Sequence, residues 1–124
     1  MDWHDYIALA ENLAANTGEA EKRSSVGRAY YALYNVAKEW LYKDPKRRSL
    51  ILPRGENSHK SLWEEIGKFK PEGNKIAQTG QLLRTRRTEC DYDKILKDQT
   101  IIRNPQLSIK LAKDAIKKVG NLEN

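Results

Sequence analysis

The sequence predicts an all-α protein, an up-and-down bundle of five helices that forms one domain over residues 1–124. Apolar residues recur every three or four positions through most of the chain, which is the period of a helix with one buried face. Strand-like patterns are almost absent, and only Ser49–Leu52 looks extended. The length suits a single domain with one core.

The first two predicted helices have the most continuous apolar faces. The first runs from Asp2 to about Asn16, because acidic residues favour a helix N-terminus and Gly18 interrupts the pattern that follows. The second runs from about Glu19 to Lys43 and ends there because Pro45 disfavours a helical residue before it. It is apolar over a wide arc and rich in small residues, so we expect it to be central in the bundle.

Three further helices complete the predicted bundle. The third runs from Ser58, a capping residue, to about Phe69, and the fourth from about Asn74 to Tyr92. The pair Asn104 and Pro105 predicts the start of the fifth, with a cap followed by proline in the first turn. We expect the second and fourth helices to pack side by side.

Charge and composition restrict the function only loosely. The formal net charge is +6 and the sequence pI is about 9.4, which suits nucleic acid or another acidic partner. No apolar run approaches the roughly 20 residues that cross a bilayer. The N-terminus lacks a signal-peptide pattern, and Cys90 is a lone cysteine. We therefore expect a cytoplasmic protein with no membrane partner.

Common catalytic and cofactor motifs are missing from the sequence. Cys90 and the well-separated His4 and His59 have no metal-ligand spacing, and the glycines do not form a phosphate-binding loop. We accordingly expect no metal and no cofactor. His59 could act as a general acid or base near neutral pH, or it could be an exposed residue at a helix start.

The stretch from Arg84 to Asp93 is unusual because it brings charge onto an apolar helical face. Arg87 falls on one stripe with Ile76, Gly80, Leu83 and Cys90. Asp91 lies four residues later, within pairing distance on a helix, so we expect a partly buried Arg87–Asp91 pair. Such a charge is either a structural ion pair at the edge of the core or part of a polar site between helices.

Other basic and aromatic residues extend this hypothesis. Arg84 lies near Arg87 in sequence, Arg28 lies in the apolar second helix, and Arg47 and Arg48 lie in the loop that follows it. The second helix also carries several tyrosines. Arginine and aromatic side chains together suit phosphate contact and base stacking, although aromatic residues at helical spacing are more often part of a core.

Two segments resemble the HEPN family (higher eukaryotes and prokaryotes nucleotide-binding). The segment Arg23-Ser-Ser-Val-Gly-Arg-Ala-Tyr-Tyr-Ala-Leu-Tyr34 is similar to the Arg-Ala-Tyr-Tyr-Ala region of its long central helix. The segment Leu83-Arg-Thr-Arg-Arg-Thr-Glu-Cys-Asp-Tyr-Asp93 is similar to its later helix, where Leu and Arg precede Asp-Tyr. The resemblance spans nearly the whole chain and implies a HEPN-like helical bundle that dimerises.

The resemblance also implies a class of functions. Many HEPN proteins are metal-independent ribonucleases of toxin–antitoxin, abortive-infection or CRISPR systems, and many accompany a nucleotidyltransferase. Their nuclease motif is an arginine followed, after four to six residues, by a histidine. Here Tyr92 and Asp93 stand five and six positions after Arg87, and no histidine follows His59. The resemblance therefore favours the Asp-Tyr branch, which lacks the nuclease pair.

Three functional hypotheses follow from the sequence. The first is a prokaryotic defence or toxin–antitoxin module that binds RNA or a nucleotide through seven residues: Arg28, Arg84, Arg87, Asp91, Tyr92, Arg47 and Arg48. The second is an active metal-independent endoribonuclease whose candidate catalytic residues are Arg87 with His59 or Tyr92. The third is a non-catalytic dimerisation or interaction subunit. We expect a homodimer, because of the resemblance and because the second helix has more aromatic residues than one small core needs. A nucleotidyltransferase or an antitoxin is a possible partner.

Overall fold

A computed structural model describes residues 2–48, 57–96 and 100–122. Within these ranges the chain is helical, with five helices of ten residues or more and two single-turn helices. In chain order they are α1 (His4–Ala14), α2 (Glu19–Lys43), α3 (Pro45–Arg48), α4 (Asn57–Ile66), α5 (Glu72–Tyr92), α6 (Thr100–Arg103) and α7 (Gln106–Gly120). The predicted all-α class is confirmed, and none of these helices is long and apolar enough to cross a membrane.

The helix boundaries agree with the sequence prediction to within a few residues. The second helix has the predicted limits, and the fourth ends at Tyr92 as predicted but begins two residues earlier than expected. The third ends at Ile66, before the predicted Phe69. The short helices α3 and α6 were not predicted. The extended stretch predicted at 49–52 lies outside the described residues.

The long helix α2 is the centre of the structure, as its wide apolar arc predicts. It packs against α1, α4, α5 and α7, and Ala29, Ala32 and Ala37 on it are fully buried. Alanine side chains let neighbouring helix backbones approach closely, so one helix can pack against several neighbours. The predicted side-by-side packing of α2 and α5 is confirmed.

The contact between α4 and α5 depends on a glycine. A Cβ atom added at Gly80 would lie 2.5 Å from ring carbons of Trp63, which is among the largest fully covered side chains of the described core. Carbon atoms pack at about 3.5–4.0 Å, so no larger residue fits there without movement of the indole. The glycine therefore brings Trp63, and α4 with it, close to α2 and α5.

Candidate functional site

The side chain of Arg87 crosses from α5 to α2, as its position on an apolar stripe predicts. Its stripe neighbours Ile76 and Leu83 are fully buried. The guanidinium donates a hydrogen bond to the Tyr31 hydroxyl at 3.1 Å and lies 5.3 Å from the centre of that ring. On α2, Gly27 lies beside the arginine chain, and a Cβ added there would make an ordinary contact with its Cγ at 3.6 Å. Arg87 thus joins the two helices.

The predicted pair between Arg87 and Asp91 is present, with Nη1 and Oδ2 separated by 3.3 Å. Its two ends differ in exposure. The arginine side chain is 15% exposed, whereas the carboxylate side chain is 39% exposed. The pair is therefore buried only at its cationic end, and solvent screens the carboxylate.

His59 lies among tyrosines of α2. Its ring is half-buried, stacks on Tyr34 with 4.3 Å between ring centres, and places Nδ1 2.7 Å from the Tyr30 hydroxyl. It also meets the Tyr31 ring edge-on, with the centres 6.1 Å apart. Of the two interpretations offered by the sequence, the exposed helix-start residue is wrong: His59 does lie in the first turn of α4, but that turn packs against α2.

A hydrogen-bond chain fixes the histidine ring. The Trp63 indole N–H donates to the Tyr30 hydroxyl at 3.3 Å, and this hydroxyl lies next to Nδ1 of His59. Burial raises the pKa of Tyr30 well above its ordinary value, so the phenol keeps its proton. Since an indole N–H can only donate, the Tyr30 oxygen accepts from Trp63, and the tautomer of His59 decides which group donates in the bond between this oxygen and Nδ1.

Arg87 and His59 share neighbours, although 28 positions separate them in the sequence. The Arg87 guanidinium lies 5.8 Å from the centre of the Tyr30 ring and 5.3 Å from that of Tyr31. The His59 ring contacts the same two rings from α4. We call the set Tyr30, Tyr31, Tyr34, His59 and Arg87 the tyrosine cluster.

The other predicted arginines divide between the tyrosine cluster and distant surfaces. Arg84 is half-buried on α5 and lies near enough for its charge to act on Tyr30. Arg86 points to α7, where it donates to the Ser108 hydroxyl at 3.2 Å. Arg28 is exposed and lies over the Tyr6 ring of α1, with 5.8 Å from guanidinium carbon to ring centre.

The basic loop and Tyr92 are not brought into the cluster. The Arg47 guanidinium stacks on Trp40 at 3.7 Å, and Trp40 is nine residues beyond Tyr31 on α2, about 13 Å along the axis. The side chain of Arg48 lies outside the described residues. Tyr92 is 74% exposed at the end of α5 and, within the described ranges, makes no hydrogen bond to Arg87 or Asp91.

Sequence reasoning missed Arg23, which holds the C-terminal end of α5. From the first turns of α2 its guanidinium donates to the backbone carbonyls of Cys90, Asp93 and Lys94, and its Nε lies 3.3 Å from a Glu19 carboxylate oxygen. The last carbonyls of a helix have no partners within the helix, and a cation near them also suits the helix dipole. Arg23 therefore fixes the segment that carries Asp91 and Tyr92.

No group of three or more metal-ligating side chains is found in residues 2–48, 57–96 and 100–122. Cys90 is buried, and burial raises the pKa of its thiol to about 11, so it is a poor nucleophile near neutral pH. The chemically useful groups of the described site are thus guanidinium, imidazole and phenol.

Comparisons with known proteins do not place the chain in a family. No protein-family model matches the sequence, and neither the curated proteins nor the solved structures contain a significant match.

Proposed function

We propose that the protein is a HEPN-like helical module that binds RNA or a nucleotide at the tyrosine cluster. The observation that carries this proposal is the convergence of Arg87 and His59 on Tyr30 and Tyr31. The electrostatic contribution of Arg84 at the same tyrosine adds positive charge. A cation and several ring systems therefore lie together between α2, α4 and α5.

This combination suits a nucleotide for physical reasons. A guanidinium offers planar, paired donors to phosphate oxygens, which a lysine cannot reproduce. Tyr31 and His59 are the half-buried rings of the cluster, so they are the ones that a base can reach. Aromatic rings stack on bases with little dependence on base identity, contributing about 1–3 kcal/mol per base. The net charge of +6 favours approach of a polyanion.

The resemblance to HEPN proteins supports the same site. Its two segments lie on α2 and α5, and Arg87 of the second segment binds Tyr31 of the first. We extend the proposal to the five-helix up-and-down HEPN-like arrangement and to a role in a prokaryotic defence or toxin–antitoxin system. A neighbouring nucleotidyltransferase or antitoxin gene would support that role, and a conserved neighbourhood of unrelated metabolic genes would count against it.

Fluorescence anisotropy with a labelled single-stranded RNA of 12 nucleotides tests binding. We expect affinity to fall steeply with salt, because arginine and lysine contacts to phosphate release counterions. Arg87→Lys should keep the fold and lose most of the affinity. Arg86→Lys is the matched control, since it makes the same exchange one residue earlier on the face toward α7. Equal binding by the two variants would contradict the proposed site.

A second candidate function is metal-independent RNA cleavage by Arg87 and His59. The shared tyrosine neighbours favour this pair over Arg87 and Tyr92, whose side chain points to solvent. Cleavage would require a base that removes the 2′-hydroxyl proton and a cation that stabilises the phosphate charge. We rank it second because the Tyr30 hydroxyl already occupies Nδ1 and because no histidine follows Arg87 in the sequence.

Incubating the pure protein with RNA in excess EDTA separates the two functions. Binding without cleavage is the expected result. Fragments ending in 2′,3′-cyclic phosphate, lost on His59→Gln or Arg87→Lys with an unchanged melting temperature, would establish the nuclease instead. Neither binding nor cleavage would favour the third hypothesis, an interaction subunit.

Self-association is also a proposal, and it rests on the resemblance alone. The aromatic surplus on α2 no longer supports it, because Tyr30 and Tyr34 are buried within one chain and Tyr31 and Trp40 are half-buried there. Light scattering at micromolar concentration tests the dimer, and a monomer mass would refute it.

A further inference from the structure

A concave surface lies away from the tyrosine cluster. It is a cavity of about 530 Å³ between the N-terminal part of α1, the C-terminal part of α2 and the last turns of α7. We call it the α1–α7 groove. Its size falls within the range of roughly 300–1,000 Å³ that is usual for small-molecule sites.

The floor of the groove is apolar and recessed. Ile7, Ile116 and Val119 line it although they are buried, and Val36 and Trp40 form the side contributed by α2. The Trp40 ring packs against Phe69, with 4.9 Å between the ring centres, and against the Arg47 guanidinium at 3.7 Å. A single aliphatic chain can reach a recessed floor more readily than the flat surface of a bilayer can.

The rim of the groove has an excess of positive charge. Lys43 and Lys117 border it, and in the part of the chain that the structure describes neither forms an ion pair. Lys113 is paired with Glu11 at 3.4 Å. The rim carboxylate of Glu39 accepts a hydrogen bond from the Trp3 indole, so it has a partner other than the two lysines.

We propose that the α1–α7 groove binds an amphiphilic anion, namely a carboxylate on an unbranched aliphatic chain. The chain lies on Ile7, Val36, Ile116 and Val119, and the carboxylate lies between Lys43 and Lys117. Burial of apolar surface supplies most of the affinity, and the lysines select the charge. This site is separate from the tyrosine cluster and independent of the RNA proposal.

The sequence provides one reporter for each site. His4 lines the groove and His59 lies in the tyrosine cluster, and the chain has no other histidine. Titration with decanoate below its micelle concentration, followed by NMR of the two imidazole rings, should shift the His4 signals saturably and leave those of His59 in place. Each added methylene from octanoate to decanoate should tighten binding about fourfold.

Four variants, one of them a control, define the interaction. Lys117→Gln should weaken decanoate binding roughly two- to fivefold, whereas Lys118→Gln, the same change on the neighbouring residue outside the groove, should not. Val36→Glu should abolish decanoate binding, while unchanged RNA binding shows that the variant keeps its fold. Bromodecanoate should quench the fluorescence of wild-type protein, and Trp40→Phe should reduce that quenching.

Several results would overturn this inference. Equal affinity for decylammonium would show that the groove does not select an anion. An affinity that does not depend on chain length would show that the apolar floor does not bind the aliphatic chain. A shift of the His59 signals instead of the His4 signals would indicate that the ligand binds at the tyrosine cluster. Binding to anionic vesicles but not to free decanoate would indicate a membrane surface. A dimer whose dissociation is required for decanoate binding would show that a second copy of the chain covers the groove.

Discussion

Substituting Gly80 by alanine tests whether close α4–α5 packing holds the tyrosine cluster together. In an unconstrained helix interior this change is favourable, by about 1 kcal/mol. Here the new Cβ would stand 2.5 Å from two carbons of the Trp63 ring and 2.6 Å from a third, about 1 Å inside normal contact. The ring cannot move outward, because Trp63 is only 1% exposed and packs against Tyr30 and Tyr34.

The expected cost follows from these opposing effects. Overpacking a core costs roughly 1–3 kcal/mol, and the upper part of this range applies because the contacted atoms are rigid ring carbons. After subtraction of the helix gain, we expect Gly80→Ala to lower the free energy of unfolding by about 1–2 kcal/mol, or the melting temperature by roughly 4–8 °C.

Thermal unfolding followed by circular dichroism measures this effect, with Gly120→Ala as the matched control. The control introduces the same methyl group where no atom lies within 4 Å, so its melting temperature should stay nearly unchanged. In the Gly80 variant, displacement of Trp63 should also disturb its bond to Tyr30 and shift the NMR signals of His59. A melting temperature equal to or above that of the wild type would refute the packing argument.

Three further predictions concern the residues around the cluster. Asp91→Ala should lower stability by less than about 1 kcal/mol in urea unfolding, because the carboxylate is exposed; a loss of about 3–5 kcal/mol would instead indicate a buried pair. Arg23→Met should lower stability by roughly 1.5–3 kcal/mol and speed amide exchange over residues 90–96, whereas the exposed Arg103→Met should do neither. Burial raises the pKa of Cys90 to about 11, so the unfolded chain loses the thiol proton at a lower pH than the folded chain does. The free energy of unfolding should therefore fall as the pH rises from about 9 to 11. Cys90→Ala should make that decline shallower, and an unchanged slope would contradict the argument.

The sequence could predict those features that depend on local periodicity. Helix α2 has its predicted limits because Gly18 and Pro45 act on the neighbouring backbone alone. The placement of Arg87 and its pairing with Asp91 follow from helical spacing within α5. Both predictions needed no knowledge of how the helices pack.

The remaining features depend on contacts between distant segments. His59 was ambiguous because only packing of α4 on α2 brings it to Tyr30 and Tyr34. Arg23 was missed because it caps carbonyls about 70 positions later in the chain. Arg28 lies one turn before Tyr31, yet its side chain turns to Tyr6 of α1. The helical period predicts on which face of its helix a residue lies, but it does not predict which neighbouring helix packs on that face.

The central claim is that the tyrosine cluster is the surface to which RNA or a nucleotide binds. The most direct measurement is NMR of the two imidazole rings during titration with a short single-stranded RNA. His59 lies within the cluster, while His4 is exposed at the start of α1 and serves as an internal control. The proposal predicts saturable, salt-dependent shifts of the His59 signals, lost in Arg87→Lys, with His4 unchanged. Shifts of His4 alone, or of neither ring while RNA binds, would contradict it.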